Sequence, residues 1–373
     1  MNRKNIFILL YFFCIGCNKQ STTLQYSDLK SIDEIDGYSR DMFLQNDTLL
    51  VVSEGDGLLI YTIQESSDSG NLSLSLQYSD SLEFHSKGWN LNHVTYSSSL
   101  NSIFVLDKFY SIQSALLSDF YTNSCFMNLS AEECNNSCTW DEGFDICSAK
   151  LQFDPVCCGN NSIHPSTLIL NSNSNEIFTL VRWQSDQLGA QTNVVSIYKI
   201  VFNKIGNFII SEEEEIVSSI IYDATDVFYG NNALFISHTD YEDFQFTVYK
   251  NNNSIPDSII SVPYKPVTLY GNNEYVFVGM SDHGGMKIYN INSLEEVYWG
   301  AQGFSIRNIY WDSLNSKLLL SCGYQGVIIY DLDRDMNITS SWVLNTSYAY
   351  TAKYYNGHAL VATREGIEII KVE

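Results

Sequence analysis

Apolar and polar positions follow one pattern several times along the chain. The clearest copies are residues 264–291, 304–332 and 347–373. Each reads as a short strand, a polar Asn-rich turn, an apolar strand, a Gly-containing loop and a third strand. Apolar side chains alternate in the third strand, as at Ile328, Tyr330 and Leu332, and this period of two is typical of β-structure. The pattern predicts repeated groups of short strands.

A glycine marks the same point in each copy. Gly285, Gly326 and Gly366 are 41 and 40 residues apart, and Gly57 holds this place in residues 37–63. Weaker copies cover residues 88–117, 166–200 and 221–250. Sequence periods of this length are typical of propellers and repeat arrays, in which one unit cannot bury its own apolar faces. The sequence therefore predicts seven units.

The units have the size of propeller blades. Each supplies three clear strands, and a fourth follows the first unit at residues 72–80. A four-stranded meander of about 45 residues is one blade. We therefore expect an all-β fold, a seven-bladed β-propeller spanning residues 24–373.

The last unit stops after its third strand, which would leave an open sheet edge. The segment LQYSD occurs at residues 76–80, within a fourth strand, and again at residues 24–28. This duplication predicts that the N-terminal copy completes the last blade and closes the ring.

Two third strands carry a family resemblance. They read GLLIY at residues 57–61 and GVIIYD at residues 326–331. Together with an apolar second strand, this pattern resembles the LVIVD-type β-propeller repeats of exported bacterial proteins. The resemblance covers most of the chain after residue 24, apart from one insertion. It implies a fold and an exported location, but no catalytic set.

The N-terminus has the pattern of an export signal. Arg3 and Lys4 precede an apolar run at residues 6–15. This run is shorter than the roughly 20 residues that a membrane-spanning helix needs, so it is interpreted as the apolar core of a signal peptide.

The residues after this run resemble a bacterial lipobox, in which a cysteine is diacylated and becomes the mature N-terminus. Gly16 and Cys17 fit the motif, whereas Cys14 stands where the family prefers Leu. We expect a lipoprotein signal peptide over residues 1–16, lipid attachment at Cys17 and a tether over residues 17–23. The alternative is an ordinary secretory signal cleaved near Gly16.

The predicted location follows from the residue after Cys17. Asn18 rather than Asp stands there, so the resemblance supplies no inner-membrane retention signal. We expect a lipid-anchored protein of the bacterial cell envelope, at the outer membrane or cell surface.

Composition and charge restrict the partners. Apolar residues make up 45% of the chain and charged residues only 17%, which excludes a disordered chain. The chain has 43 acidic and 20 basic residues, a formal charge of -23, and this charge repels nucleic acids and anionic lipid surfaces. We therefore expect no nucleic-acid partner, and we expect membrane contact through the lipid alone.

Six cysteines lie together in an insertion at residues 121–160, which the repeat places in the third blade. They are Cys125, Cys134, Cys138, Cys147, Cys157 and Cys158. In an exported chain an even number of cysteines favours disulfides, and six allow fifteen pairings that remain open. Zinc binding is the alternative. The insertion either stabilises a long loop or forms a partner-binding knob.

Signatures of enzymes are mostly absent. The chain has no G-x-S-x-G, H-E-x-x-H or phosphate-binding Gly loop, so hydrolase, zinc-protease and nucleotide-binding readings lack support. Residues 331–337 have the oxygen spacing of a calcium loop, but Met336 replaces its Gly. We interpret them as an acidic hairpin turn, with calcium as the alternative and no other cofactor expected.

In a propeller, loops that join second to third strands and loops that enter first strands lie on the same face. Charged, polar and aromatic residues in these loops are candidates for holding a small polar ligand, a glycan or a peptide. The candidate binding residues are Glu54, Asp56, Trp89, His93, His238, Asp240, Asp282, His283, Arg307, Tyr324 and Arg364. The same loops contain Tyr38, Arg40, Tyr350 and Lys353. A metal site shared by the His-Asp pairs of adjacent blades is a further alternative.

Three functions are compatible with these observations. The favoured one is a binding or scaffold module for protein or glycan partners. An alternative is a propeller enzyme that acts on glycans or peptides through carboxylates on the loop face. A structural envelope protein is the third.

Overall fold

The computed structural model describes residues 24–27, 30–34, 38–54, 57–67, 70–79, 91–107, 111–116, 138–141, 146–149, 154–157, 163–171, 175–183, 194–205, 208–240, 243–250 and 255–372. The regular elements in these ranges are β-strands. Within them, no helix has the length and hydrophobicity that crossing a membrane requires. The predicted signal peptide, Cys17 and the tether lie outside the described residues.

The strands up to residue 205 are β1 (Leu24–Ser27), β2 (Lys30–Glu34), β3 (Ser39–Gln45), β4 (Thr48–Ser53), β5 (Gly57–Glu65), β6 (Leu72–Ser79), β7 (Leu91–Ser97), β8 (Ser102–Asp107), β9 (Ser111–Leu116), β10 (Cys138–Asp141), β11 (Ile146–Ala149), β12 (Asp154–Cys157), β13 (Ile163–Pro165), β14 (Ile169–Asn171), β15 (Glu176–Trp183) and β16 (Val194–Ile205).

The later strands are β17 (Phe208–Tyr222), β18 (Asp226–Gly230), β19 (Ala233–Asp240), β20 (Asp243–Lys250), β21 (Ser258–Ser261), β22 (Pro266–Gly271), β23 (Tyr275–Met280), β24 (Gly285–Asn290), β25 (Glu296–Gly300), β26 (Asn308–Asp312), β27 (Lys317–Ser321), β28 (Val327–Leu332), β29 (Ile338–Leu344), β30 (Thr351–Tyr355), β31 (His358–Ala362) and β32 (Gly366–Lys371).

Among the described residues these strands form seven sheets, numbered here from the N-terminus. The first contains β3 to β6, the second β7, β8, β9 and β12, and the third β13 to β17. The fourth contains β18 to β21, the fifth β22 to β25, the sixth β26 to β29 with β1, and the seventh β30 to β32 with β2. Strands β10 and β11 form a separate hairpin.

The sheets pack side by side in a ring. Each contacts the next, and the seventh contacts the first through β30 and β3. A separate apolar cluster fills each of the seven interfaces. Each of these sheets is therefore buried on both faces, which is the arrangement of a β-propeller, and the all-β prediction is confirmed.

Neighbouring residues of a second strand face different sheets. In β4, Leu50 and Val52 pack toward the second sheet, whereas Leu49 and Val51 pack toward the seventh. Successive side chains of a strand point to opposite faces, so a strand between two sheets needs apolar residues at every position. This requirement explains the continuous apolar runs that mark each unit.

The repeated glycine lies where the third strand passes the fourth. Gly326 has a φ of +80°, and a Cβ there would lie 2.0 Å from the carbonyl oxygen of Leu344. Gly285 has a φ of +73°, with the oxygen of Gly300 at 2.3 Å from the same position. Only glycine combines this backbone conformation with so close an approach.

The strand that closes the ring is not the predicted one. β2 pairs antiparallel with β32 and completes the seventh sheet, so an N-terminal strand does close the propeller. Residues 24–27 of the LQYSD segment instead form β1, which runs parallel to β29 as a fifth strand of the sixth sheet. The prediction was wrong because a shared sequence identifies a kind of strand, whereas its partner depends on which sheet edge the chain reaches.

The cysteine-rich insertion interrupts the second sheet rather than the third. It follows β9, and β12 then returns to pair with β9 as the fourth strand. The backbone places Cys138 and Cys147 in the β10–β11 hairpin and Cys157 in β12. Cys125, Cys134 and Cys158 lie outside the described residues, and of the other three only the backbone is described. Cys322, in the sixth sheet region, is a buried free thiol. The disulfides stay a prediction.

Ring closure by β2 predicts unequal effects of proline in the two N-terminal strands. Proline lacks the backbone N–H group that bonds to a neighbouring strand. Successive N–H groups of a strand point to opposite sides, so we substitute two adjacent residues to ensure that one of them faces the partner strand. We expect Ser31→Pro with Ile32→Pro to lower the free energy of unfolding by about 3 kcal/mol or more. The matched control, Gln25→Pro with Tyr26→Pro, should cost clearly less, because β1 only adds a strand to a complete sheet. Equal losses in urea denaturation would contradict the assignment.

Candidate functional site

Six side chains from three neighbouring sheets meet on one face of the ring, and we call them the Tyr–Arg patch. Its members are Tyr38, Arg40, Tyr324, Tyr348, Tyr350 and Arg364. They lie at the entries to β3 and β30 and in the loops β27–β28 and β31–β32. These are the two classes of loop in which the sequence predicts a binding face.

Arg364 lies among tyrosine rings. Its guanidinium carbon is 4.6 Å from the ring centroid of Tyr348, 4.9 Å from that of Tyr324 and 5.5 Å from that of Tyr38. The Nε–H donates to the Tyr350 hydroxyl at 3.4 Å, and an Nη1–H donates to the Tyr324 hydroxyl. Cation–π attraction and these hydrogen bonds together hold the guanidinium in place.

Arg40 occupies the other side of the patch. Its guanidinium carbon is 4.6 Å from the ring centroid of Tyr350 and 5.5 Å from that of Tyr38. An Nη2–H donates to the carboxylate of Glu54, which neutralises this arginine. Tyr38 therefore lies between two different guanidinium groups. That of Arg40 is paired with a carboxylate, whereas that of Arg364 donates to tyrosine hydroxyls.

The patch rests on ordered backbone. Gly323 and Ala349 exchange two backbone hydrogen bonds of 3.2 and 3.0 Å, which join the loop before β28 to the loop before β30. The ring of Tyr348 lies 4.7 Å from that of Tyr324, in edge geometry, and 4.6 Å from that of Tyr350. Edge and tilted arrangements at these distances are favourable for aromatic pairs.

Much of this surface is open to solvent. Tyr324 is 70% exposed and Tyr38 is 42% exposed, and Arg364 is exposed as well. Exposed aromatic rings that contact one another are unusual for a surface without a partner. The patch has the features of a binding surface.

The predicted site residues divide between this patch and other places. Glu54, Tyr324 and Arg364 meet at the patch. Tyr348 was missed, although the alternation of Tyr348 and Tyr350 directly before a first strand was a usable signal. Asp56 and Trp89 lie outside the described residues, and of Asp240 the structure describes only its place at the end of β19.

The other predicted residues have local partners or lie apart. His238 is buried, with Nε2 2.6 Å from the hydroxyl of Thr247. Asp282 accepts a hydrogen bond from Ser281, and Nδ1 of His283 is 2.8 Å from the carbonyl oxygen of Gly303. Arg307 is exposed between the fifth and sixth sheets. Lys353 and His93 point into the centre of the ring.

The described side chains form no metal site. Within the described ranges, no group of three His, Cys, Asp or Glu residues is placed to hold a metal ion. In the acidic turn, the carboxylate of Asp333 accepts hydrogen bonds from the backbone N–H groups of Asp335 and Asn337 and from the Asn337 amide. These bonds lower the pKa of Asp333, the Asn337 side chain contributing most.

First strands line a central cavity of about 240 Å³. Its polar lining includes Asp41, His93, Asp226, Asn308 and Lys353, which come from five different sheets. Toward the opposite face, a larger cavity of about 1060 Å³ opens between the third, fourth and fifth sheets. The centre of the ring is therefore hollow, and ionisable side chains lie among the apolar residues of its lining.

The two aspartates of the cavity join neighbouring sheets. Asp41 accepts from its own neighbour Met42 at 2.8 Å and from Val94 of the second sheet at 3.2 Å. Asp226 has the same arrangement in the fourth sheet, with Val227 at 2.8 Å and Leu269 of the fifth sheet at 2.7 Å. Both carboxylates therefore satisfy backbone N–H groups across a sheet interface.

Burial changes the pKa values of ionisable side chains that line the cavity. It raises the pKa of Asp226 to about 6, although the N–H groups of Leu269 and Val227 act in the opposite direction. It lowers the pKa of Lys353, whose ammonium lies 4.4 Å from the ring centroid of Tyr310. For His93, burial lowers the pKa, but Asp41 at 3.4 Å more than offsets it and the net pKa is raised.

Several solved structures are similar to this chain. A chain of the mitotic checkpoint complex aligns with a TM-score of 0.59 and 10% identity, covering 95% of this chain and 94% of that chain. The C-terminal WD40 domain of Sif2 aligns with a TM-score of 0.56 and 11% identity, covering 94% and 99%. The computationally designed Ika8 protein aligns with a TM-score of 0.56 and 9% identity, covering 94% and 99%.

No protein-family model and no curated protein matches the sequence, so the LVIVD resemblance stays a prediction. At these identities the structural likeness shows the fold alone. The chain is a β-propeller whose loops carry an exposed Tyr–Arg patch.

The raised pKa of Asp226 predicts a pH-dependent stability. Because the folded state binds the proton more tightly than the unfolded state, this stabilisation is complete below about pH 4 and is lost as the pH rises through about 6. Relative to Asp226→Asn, which cannot titrate, the wild type should lose about 2–3 kcal/mol of unfolding free energy between pH 4 and pH 7. Urea denaturation at several pH values measures this difference. A difference that stays constant over this range would contradict the assignment.

Proposed function

We propose that this protein is a lipid-anchored, extracytoplasmic β-propeller of seven blades that binds a protein or glycan partner in the cell envelope. The observation that carries the binding proposal is the exposed Tyr–Arg patch, shared by the sixth, seventh and first sheets. The seven described sheets and their closed sequence of contacts support the blade number.

The composition of the patch supports binding. Tyrosine and arginine supply a large share of the binding energy at protein interfaces. Their rings and guanidinium groups already contact one another, so less side-chain freedom is lost when a partner binds. The buried sheets beneath provide a rigid base for the loops.

The enzyme alternative has less support. The cavity does bring Asp41, Asp226 and His93 toward the centre of the ring. Both carboxylates, however, accept backbone hydrogen bonds that join adjacent sheets. This use accounts for them as structural groups, whereas the patch has no comparable structural explanation for its exposed rings.

The location rests on the sequence. The lipobox-like Gly16-Cys17 supports a lipid anchor, and the six clustered cysteines support an oxidising compartment in which the insertion is held by disulfides. The formal charge of -23 supports membrane contact through the lipid rather than through the protein surface.

Two cysteine variants test the anchor. Expressed in a bacterial host with labelled palmitate, the wild type and Cys14→Ala should incorporate the label and fractionate with membranes. Cys17→Ala should lose both, because the acylated thiol is gone. Labelling of Cys17→Ala at the wild-type level would exclude this anchor.

Patch variants test the binding function. Peptide libraries and glycan arrays screened with the full chain should yield ligands whose affinity falls about tenfold or more in Tyr324→Ala with Arg364→Ala, since hot-spot truncation costs at least about 2 kcal/mol. The control is Tyr264→Ala with Arg334→Ala, an exposed tyrosine and arginine outside the patch. Ligands that respond equally to both pairs, or no ligand at all, would refute the proposed function.

A further inference from the structure

We propose that the Tyr–Arg patch binds a protein segment bearing one carboxylate beside an aromatic or apolar side chain, and that Arg364 receives this carboxylate. The inference rests on the proposed function, because it specifies the ligand of the same surface. It depends on a difference between the two arginines of the patch.

Arg40 and Arg364 share tyrosine neighbours but not charge partners. Arg40 donates to the carboxylate of Glu54. Arg364 donates to the hydroxyls of Tyr324 and Tyr350, and in the described part of the chain it forms no ion pair with a carboxylate. Arg364 therefore presents an exposed positive charge that the described surface does not neutralise.

The guanidinium of Arg364 keeps one side available. Arginine has five N–H donors in a planar fork. The Nε–H and one Nη1–H are bonded to tyrosine oxygens, which leaves the two Nη2–H groups and the second Nη1–H. These three donors form the end of the fork, which is suited to a bidentate pair with a carboxylate.

The surrounding rings make this donor group rigid. Tyr348, Tyr324 and Tyr38 lie within 5.5 Å of the guanidinium carbon. A flexible arginine would lose side-chain freedom on binding, which opposes the association. Arg364 is already ordered, so its hydrogen bonds to a ligand come at a smaller entropic cost.

The charge of the whole protein restricts the ligand further. A formal charge of -23 repels a strongly acidic segment at long range. Glu54 contacts the patch through Arg40, and the exposed Glu365 is the residue after Arg364. A single carboxylate can form an ion pair with Arg364 at short range. A segment with only one negative charge is repelled weakly by the acidic protein. We therefore expect one acidic group within an otherwise neutral segment.

The exposed ring of Tyr324 defines the neighbouring position. It is 70% exposed and bonded to the same guanidinium. An aromatic or apolar side chain can cover this ring while the adjacent carboxylate reaches the fork. Tyrosine and arginine are both among the residues enriched at the centres of protein interfaces, so we commit to a protein segment.

The test uses two phage-displayed libraries of random 12-residue peptides, screened against the full chain. One library displays peptides internally, and the other leaves their C-terminus free, which separates side-chain carboxylates from chain termini. Selected peptides should contain Asp, Glu or a free C-terminus beside an aromatic or apolar residue. Amidation of that carboxylate, or its change to Asn or Gln, should lower the affinity about tenfold or more.

Protein variants locate the contact. Arg364→Lys keeps the positive charge but not the planar fork of N–H donors, so it should lower the affinity for the selected peptides about tenfold. Arg364→Gln should lower this affinity at least as much. Arg334→Gln, an exposed arginine outside the patch, should leave affinity unchanged. Circular dichroism verifies that each variant is folded.

The outcomes separate this inference from the proposed function. Peptides that depend on Tyr324 but bind equally well without their carboxylate would overturn the inference and leave the binding function standing. Uronic-acid glycans that bind through Arg364, with no peptide binding, would also overturn it. Absence of any ligand that depends on the patch would refute both.

Discussion

The burial of each sheet between two neighbours is the constraint on which the described structure depends. In β4, Leu50 and Val52 face one interface and Leu49 and Val51 face the other, so both faces of the strand must be apolar. A sheet of this kind exposes two hydrophobic faces when it is alone. Only a closed ring covers all of them, which is why the seventh sheet contacts the first. The N-terminal strand β2 supplies the fourth strand of the seventh sheet.

The same ring explains how distant residues form one surface. Tyr38 and Arg364 are far apart in the sequence, yet the seventh and first sheets are neighbours, and their loops emerge on a common face. Because the sheets are rigid, the loops can hold exposed tyrosines and arginines in fixed contacts. A propeller thus builds a binding surface from loops whose residues contribute little to the core. The patch is a product of ring closure as much as of its own residues.

The fold was more predictable than the site, for physical reasons. Strand positions follow from alternation and from the glycines at positions such as 285 and 326, which are local requirements. The role of Asp41 and Asp226 was not predicted, because each carboxylate bonds to the backbone of the next sheet. Of the candidate residues, Glu54, Tyr324 and Arg364 meet, whereas His93 lies in the central cavity. Loop class predicts the face on which a residue lies, but not its neighbours there.

The sequence by itself determined the repeating strands, the all-β architecture, and the need for an N-terminal strand at the last sheet. It did so because alternation, turn residues and backbone conformation act within one unit. The tertiary structure decided that β2 rather than β1 closes the ring, that the cysteine-rich insertion belongs to the second sheet, and that Arg364 lies among three tyrosines. These features depend on pairing and packing between units, where many partners have equivalent sequences and only the geometry of the ring selects among them.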